Sequence, residues 1–145
     1  MSKTRIDNLA SKLNVKRPTI LIVEDHDNLR TALAEWLNGE LKECSFLVAE
    51  SAEKALEIVK MHHPAIVIMD LQLPRMNGIE AIRNIKLISP HTQAVVLTVM
   101  KDPAFIDVAM AAGATSFIHK QHMHAELIPA ITKLLHPEIT EEKEA

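Results

Sequence analysis

Three carboxylates in this sequence each follow directly on a short apolar run. Glu24 and Asp25 come after Thr19–Val23, and Asp70 comes after Ala65–Met69. Carboxylates crowded at one place repel one another, but they suit a hard divalent cation, which prefers oxygen ligands. Mg2+ keeps several waters and takes one or two protein carboxylates. We therefore expect Asp25 and Asp70 to bind Mg2+ directly, with Glu24 acting through water.

A hydroxyl and an ammonium group stand at the ends of two further apolar runs. Thr98 closes Ala94–Thr98, and Lys120 follows Ser116–His119. Set around a carboxylate that holds a metal, these groups could bind all the oxygens of a phosphoryl group, as phosphoryl transfer requires. Asp70 is then the candidate nucleophile. A strand-end Thr, a turn Asp or a solvated Lys is ordinary when taken singly, so the prediction depends on their joint placement.

Regular alternation of strands and helices would bring these residues together. Most of the apolar runs are rich in β-branched residues and lack polar alternation, as strands covered on both faces do. Segments with apolar residues at helical spacing separate them. One of these segments opens with the cap Asp102-Pro103 and stops at Gly113. The five predicted strands are Thr19–Val23, Ser45–Ala49, Ala65–Met69, Ala94–Thr98 and Ser116–His119.

This alternation predicts an α/β fold, in which a five-stranded parallel sheet has five helices on both faces, joined by right-handed crossovers. The common open-sheet order for such a chain is 2-1-3-4-5, which is flavodoxin-like, and ligands bind at the carboxyl ends of the strands where the order reverses. Strands one and three are neighbours in that order. The three carboxylates must therefore meet at one edge.

Composition excludes several classes of protein. A chain of 145 residues fits one domain, and its single cysteine, Cys44, excludes an internal disulfide and suggests a reducing compartment. A net charge of -3 with 3% aromatic residues argues against direct nucleic-acid binding. The early run 20–23 is too short for a signal-peptide core or a membrane span, which indicates a cytoplasmic protein. We expect a basic N-terminal extension at 1–17, the domain at 18–136 and an acidic tail at 137–145.

Four stretches together resemble the receiver domain of response regulators in two-component signal transduction. The resemblance covers about residues 18–136 and implies that a histidine kinase or phosphotransfer protein phosphorylates Asp70. Such a domain catalyses at most its own phosphorylation and dephosphorylation, so it is not an enzyme in the ordinary sense. The four stretches are Ile20–His26, Ile68–Gly78, Val95–Thr98 and Ala112–Lys120.

The same resemblance implies a ligand set and a switch. Mg2+ would be held by Asp25, Asp70 and the backbone carbonyl of Gln72, with Glu24 in support. Lys120 and Thr98 would grip the phosphoryl oxygens. Thr98 would shift and Phe117 would swing inward, which remodels the face made by the fourth helix, fifth strand and fifth helix. A downstream protein or output domain would read that face, and a phosphorylation-dependent homodimer stays open.

Three residues depart from the family pattern. Gln121 stands where a proline usually follows the lysine; because a cis bond without proline costs about 2.5–4 kcal/mol, we expect a trans Lys120–Gln121 bond and a shifted loop. Val99 is bulkier than usual beside Thr98 and could slow phosphorylation by small donors. Pro129 lies inside the fifth predicted helix, so that helix should start late or bend.

Other interpretations carry less support. An Mg2+-dependent phosphohydrolase would need a second acid near Asp70 to protonate a leaving group, and none is evident. The chain could also be the receiver part of a larger transcription regulator. A zinc site at His119, His122 and His124 lacks a matching distant ligand pair. We interpret His26 as a loop histidine that could tune access to the acidic site.

Overall fold

The computed structural model describes residues 17–138. The acidic tail beyond residue 138 and the basic extension up to residue 16 lie outside the described residues, so both stay predictions. Within the described range, no helix is long and apolar enough to cross a membrane.

The core of the domain is one parallel sheet of five strands in the order β2-β1-β3-β4-β5, as predicted. The first two strands have the predicted bounds, whereas the third starts one residue later and the last two start earlier. The strands are β1 (Thr19–Val23), β2 (Ser45–Ala49), β3 (Ile66–Met69), β4 (Gln93–Thr98) and β5 (Ala114–His119).

The early start of β5 follows from an irregularity in its pairing with β4. Ala94 pairs with Ala114, but Val95 pairs with Ser116, so Thr115 is an extra residue in β5. Thr115 is also exposed. The apolar pattern therefore begins only after this bulge, and the sequence alone indicated a shorter strand.

Five helices connect and follow the strands. They are α1 (Asp27–Glu40), α2 (Ala52–His62), α3 (Gly78–Ile88), α4 (Pro103–Ala112) and α5 (Met123–Leu135). The predicted boundaries of α4 are confirmed, because the Asp102 carboxylate accepts a hydrogen bond from the Ala104 amide at 2.9 Å and Gly113 ends the helix with φ of 119°. Asn77 caps α3 in the same way by accepting from the Glu80 amide at 2.9 Å.

Alternate side chains of each strand pack into two separate apolar layers. Leu21 and Val67 belong to the layer under α2, α3 and α4, whereas Ile20 and Ile68 belong to the layer under α1 and α5. Both faces of the central strands are thus buried, which explains their continuous apolar runs. The polar groups of these strands are confined to their ends, where the candidate site lies.

The chain leaves β5 through a short 3-10 helix, Lys120–His122, that runs directly into α5. No peptide bond between residues 17 and 138 is cis, which confirms the trans Lys120–Gln121 bond. Of the two outcomes expected from Pro129, a late start of α5 is wrong, since the helix begins at Met123 and includes Pro129 in its interior, and a bend of the helix stays a prediction. Because Pro129 has no N–H, one helical hydrogen bond is lost there.

Candidate functional site

The predicted site residues follow the carboxyl ends of neighbouring strands. Val23 pairs with Met69, and Thr98 pairs with His119, so the residues after these strands leave the sheet at one edge. The Asp70 amide continues the ladder by donating to the Val23 carbonyl at 3.2 Å. Glu24 and Asp70 are only 2% and 3% exposed. Both carboxylates are therefore shielded from water.

Lys120 links these two carboxylates. Its Nζ donates to Oε1 of Glu24 at 2.6 Å and to Oδ2 of Asp70 at 3.0 Å. Burial alone would raise the pKa of Glu24, but hydrogen bonds from Lys120 and His26 outweigh it and hold this pKa below its usual value. Burial alone would lower the pKa of Lys120, but its hydrogen bonds to Glu24 and Asp70 raise it. The structure thus brings together an ammonium and two carboxylates that are far apart in sequence.

The backbone after β3 holds the other oxygen of Asp70. The Gln72 amide donates to Oδ1 of Asp70 at 3.0 Å, and the Gly78 amide donates to the Leu71 carbonyl at 3.1 Å. The start of α3 comes so close that a Cβ at residue 78 would lie 2.3 Å from the Asp70 carbonyl oxygen. The sequence pattern assigns no role to Gly78, although its place in the stretch after Asp70 is a usable signal. The Gln72 carbonyl as a metal ligand stays a prediction.

Asp25 and His26 form the open part of the site. The Oδ1 atom of Asp25 is buried and accepts no hydrogen bond from the residues that the structure describes, although Nδ1 of His26 lies 3.3 Å away as an ion-pair contact. That same nitrogen is 3.0 Å from Oε2 of Glu24, which also accepts from the His26 amide at 3.1 Å. The hydrogen bond to Glu24 and the charge of Asp25 raise the pKa of His26.

These atoms fit a divalent cation. Ligand atoms of Glu24, Asp25 and His26 all lie within 4.8 Å of one another, and they form the one such group of three found between residues 17 and 138. A buried carboxylate oxygen that accepts no hydrogen bond is costly unless a cation or donor reaches it. Asp70 is outside this group and is joined to it through Lys120. Sequence reasoning gave His26 only the role of a loop histidine that could tune access, and it did not predict these contacts with the acidic pair.

The two candidate switch residues occupy different surroundings. Thr98 is fully buried, and its Oγ1 accepts a long hydrogen bond of 3.4 Å from the Met100 amide. Phe117 is half-buried and packs against the layer under α2, α3 and α4. Val99, the residue that follows β4, is 50% exposed. Phe117 also lines a surface groove with Met100 and Ile106.

The three histidines near β5 do not converge on one point, although the rings of His119 and His122 lie 6.1 Å apart. His119 Nε2 lies 3.0 Å from the Val99 carbonyl, to which it donates, while its Nδ1 accepts from the Gln121 amide at 3.0 Å. His124 packs edge-on against Trp36, with ring centroids 5.1 Å apart. No group of three metal-binding side chains within residues 17–138 includes any of them. Their arrangement thus supports no zinc site in the described part of the chain.

Comparisons with known proteins agree with this geometry. The family described as "Response regulator receiver domain" matches residues 20–132. The chemotaxis protein CheY of Thermotoga maritima is 33% identical over 115 residues, which cover 79% of this chain and 95% of CheY. A two-component response regulator of the LuxR family from Aurantimonas sp. SI85-9A1 superposes with a TM-score of 0.77 at 28% identity, covering 90% of this chain and 100% of that one.

Several relatives are longer than the matched region. The transcriptional regulatory protein PdtaR of Mycobacterium tuberculosis is 38% identical over 116 residues, which are 77% of this chain and 54% of PdtaR. The match to the transcriptional regulatory protein DegU of Brevibacillus brevis, at 26% identity, covers 89% of this chain and 57% of DegU. The chain thus spans little more than half the length of these two curated relatives.

Proposed function

The chain belongs to the response regulator receiver domain family, and on that basis we propose that it signals by accepting a phosphoryl group on Asp70. A receiver domain of this family is a signalling module with a histidine kinase as its partner, not a conventional enzyme, and is typically Mg2+-dependent. The specific residues and contacts that follow are our proposal for this chain.

The observation that carries the proposal is the position of Lys120. Its ammonium lies 3.0 Å from Oδ2 of Asp70 and also donates a hydrogen bond to Glu24. The Lys120 side chain is only 13% exposed. A buried cation beside a buried carboxylate lies close enough to contact the oxygens of a phosphoryl group that the carboxylate accepts. Charge that develops on the phosphoryl oxygens would therefore be neutralised without a large rearrangement.

The transfer itself needs one bond to form and one to break. An Asp70 carboxylate oxygen attacks the phosphorus of a phosphohistidine on a histidine kinase or phosphotransfer protein, and the phosphorus–nitrogen bond breaks as the new phosphorus–oxygen bond forms. The departing imidazole nitrogen keeps the electron pair. Thr98 is suited to receive the product, because its hydroxyl donates no hydrogen bond to any residue between 17 and 138 and can donate one to a phosphoryl oxygen.

Mg2+ would be held by Asp25, Asp70 and the Gln72 carbonyl, with Glu24 in support. The Oδ1 of Asp25, which accepts no hydrogen bond from the described residues, and the hard oxygen donors of this pocket support that assignment. When bound, Mg2+ would supply positive charge to the phosphoryl oxygens. The Gln72 amide would keep Asp70 oriented throughout, because it donates to Oδ1 from the backbone.

Phosphorylation would then change the surface formed by α4, β5 and α5. A donated hydrogen bond from Thr98 to the phosphoryl group draws that residue inward and makes room for Phe117 behind it. Exposed apolar residues on α4, namely Ile106, Val108 and Met110, give a downstream protein something to bind. The equilibrium between the two conformations can shift only by as much as the free energy of the phosphoryl group's contacts differs between them.

Intact mass spectrometry tests this proposal. The chain is incubated with acetyl phosphate and Mg2+, and we expect the wild type to gain one phosphoryl group and Asp70→Asn to gain none. Asp27→Asn is the matched control, because Asp27 is 85% exposed and pairs only with Arg30 among the described contacts. An equal gain in all three proteins would contradict the assignment of Asp70.

A second role, as the receiver part of a larger transcription regulator, is favoured by the partial coverage of the longer relatives. It predicts that phosphorylation changes the association of receiver copies, since such regulators bring DNA-binding domains together. Light scattering before and after acetyl phosphate measures this change. The phosphohydrolase interpretation is disfavoured by family membership, and rapid turnover of assorted phosphoesters would be needed to revive it.

A further inference from the structure

The half-buried side chain of His119, the last residue of β5, uses both of its ring nitrogens. Its Nδ1 accepts a hydrogen bond from the Gln121 amide at 3.0 Å, and its Nε2 lies 3.0 Å from the Val99 carbonyl oxygen. An amide can only donate and a carbonyl can only accept, so Nδ1 is unprotonated and Nε2 carries the proton. The two contacts therefore fix the tautomer and the orientation of the ring.

On one side, the imidazole orients the peptide unit that follows Thr98 at the end of β4. The Val99 carbonyl that faces Nε2 and the Met100 amide belong to one planar peptide unit, and that amide donates to Oγ1 of Thr98 at 3.4 Å. Because the unit is planar, holding its carbonyl also holds the direction of its N–H. His119 thus keeps the Thr98 oxygen as an acceptor, which leaves the hydroxyl proton for a phosphoryl oxygen.

On the other side, the imidazole holds the turn that follows Lys120. The Gln121 amide belongs to the Lys120–Gln121 peptide unit, next to the lysine whose Nζ lies 3.0 Å from Oδ2 of Asp70. The contact requires a backbone N–H at residue 121, which the proline common at this position in the family would lack. The departure of Gln121 from the family pattern therefore gives His119 its second partner.

We propose that His119 is a positioning residue for phosphoryl transfer, whose imidazole ties the loop after β4 to the turn after β5 and so keeps Thr98 and Lys120 in place beside the phosphorylation site. The inference rests on the proposed function and adds to it a residue that acts through its neighbours. A cap for the short 3-10 helix would be a simpler role, but it needs only the contact at Nδ1. The contact between Nε2 and the Val99 carbonyl is what distinguishes the two roles.

Substitutions of His119 separate the two contacts. His119→Asn keeps an acceptor for the Gln121 amide, because an asparagine oxygen can bond the amide two residues further on, but its side chain is too short to reach Val99. His119→Gln carries an amide N–H about as far from the backbone as Nε2 and can donate to the Val99 carbonyl. His119→Ala makes neither contact. His122→Asn is the matched control, because it removes an exposed histidine of the same turn.

The rate of phosphorylation at saturating acetyl phosphate and Mg2+, followed by intact mass, is the readout. We expect His119→Ala and His119→Asn to be about tenfold slower than wild type, since small misplacements of reacting groups can cost up to about 100-fold. His119→Gln should recover to within about threefold of wild type because the two loops are tied again. His122→Asn should match wild type, and urea unfolding shows whether each variant is folded under the assay conditions.

A wild-type rate in His119→Asn would show that His119 only caps the short helix and would overturn the inference, as would equal slowing of His119→Gln and His119→Ala. If the wild type itself gains no phosphoryl group, the proposed function fails and the inference with it. Equal rates in wild type and all three His119 variants would count against the inference alone.

Nuclear magnetic resonance of the nitrogen-15-labelled wild-type chain decides the matter if a variant does not fold. We expect the His119 ring to carry its proton on Nε2 and none on Nδ1. The opposite tautomer would overturn the inference, because neither contact could then form.

Discussion

Replacing Gly78 with alanine should damage both stability and phosphorylation. An added Cβ would lie 2.3 Å from the Asp70 carbonyl oxygen, 2.7 Å from the Leu71 Cα and 3.0 Å from the Asp70 carbonyl carbon. Carbon atoms in favourable contact are about 3.5–4.0 Å apart, so the backbone must separate by about 1 Å. All three atoms belong to the backbone, and no side chain can turn away to relieve the overlap.

The cost follows from this overlap. Overpacking a well-packed site costs about 1–3 kcal/mol, and we expect Gly78→Ala to be near the upper end because the Asp70 backbone is held by the ladder to Val23. Gly39→Ala is the matched control, since an added Cβ at Gly39 in α1 meets nothing within 4 Å. Alanine in a helix interior is favoured over glycine by about 1 kcal/mol. The two substitutions should therefore move stability in opposite directions.

Urea unfolding measures both effects, with the fluorescence of the single tryptophan, Trp36, and far-ultraviolet circular dichroism as probes. Relative to wild type, we expect a lower urea midpoint for Gly78→Ala and a higher one for Gly39→Ala. The slope of the unfolding free energy against urea should not change in either variant. Phosphorylation by acetyl phosphate should slow in Gly78→Ala, because the carboxylate of Asp70 moves with its backbone. A Gly78→Ala protein with wild-type midpoint and wild-type phosphorylation rate would refute the steric argument.

Four further predictions concern Lys120, Glu24, Thr92 and Cys44. Lys120→Met should lower the free energy of unfolding by about 3 kcal/mol at neutral pH, because it leaves two buried carboxylates without their cation; added Mg2+ should restore part of this loss in urea titrations. The lowered pKa of Glu24 contributes stability that is present above its ordinary value of 4.5 and is lost as pH falls through the native value. In acid unfolding, Lys120→Met should therefore lose less stability than wild type over that pH range. An unchanged profile would show that Lys120 does not lower the pKa of Glu24. Thr92→Val should cost about 1–3 kcal/mol, since the buried Thr92 hydroxyl makes 2.7 Å hydrogen bonds at the amino end of β4, yet its phosphorylation rate should equal that of wild type because the site lies at the other end. Cys44, whose pKa burial raises to about 11, should react with a thiol reagent at pH 8 far more slowly in the native protein than in urea, and fast native labelling would show that the thiol is accessible.

Much of the fold could be predicted because local pattern and tertiary structure agree. Apolar runs of β-branched residues identified the strands, and the caps at Asp102 and Gly113 gave the limits of α4. The predictions failed where a tertiary contact overrides the pattern. The bulge at Thr115 lengthens β5 beyond its apolar run. The interior of α5 accepts Pro129 because the packing of Leu127 and Ile131 holds the helix on both sides of it.

The candidate site divides in the same way. The sequence by itself determined which strand ends carry carboxylates, a hydroxyl and an ammonium, because in a parallel sheet all carboxyl ends of the strands lie at one edge. Only the tertiary structure decided which of these groups touch. It places Lys120 between Glu24 and Asp70, 96 and 50 residues away in the chain. It also turns the ring nitrogen of His26 toward both carboxylates, and it makes a glycine necessary at residue 78. Such contacts depend on side-chain length and on differences of a few tenths of an ångström in backbone separation, which the spacing of residue types along the chain does not specify.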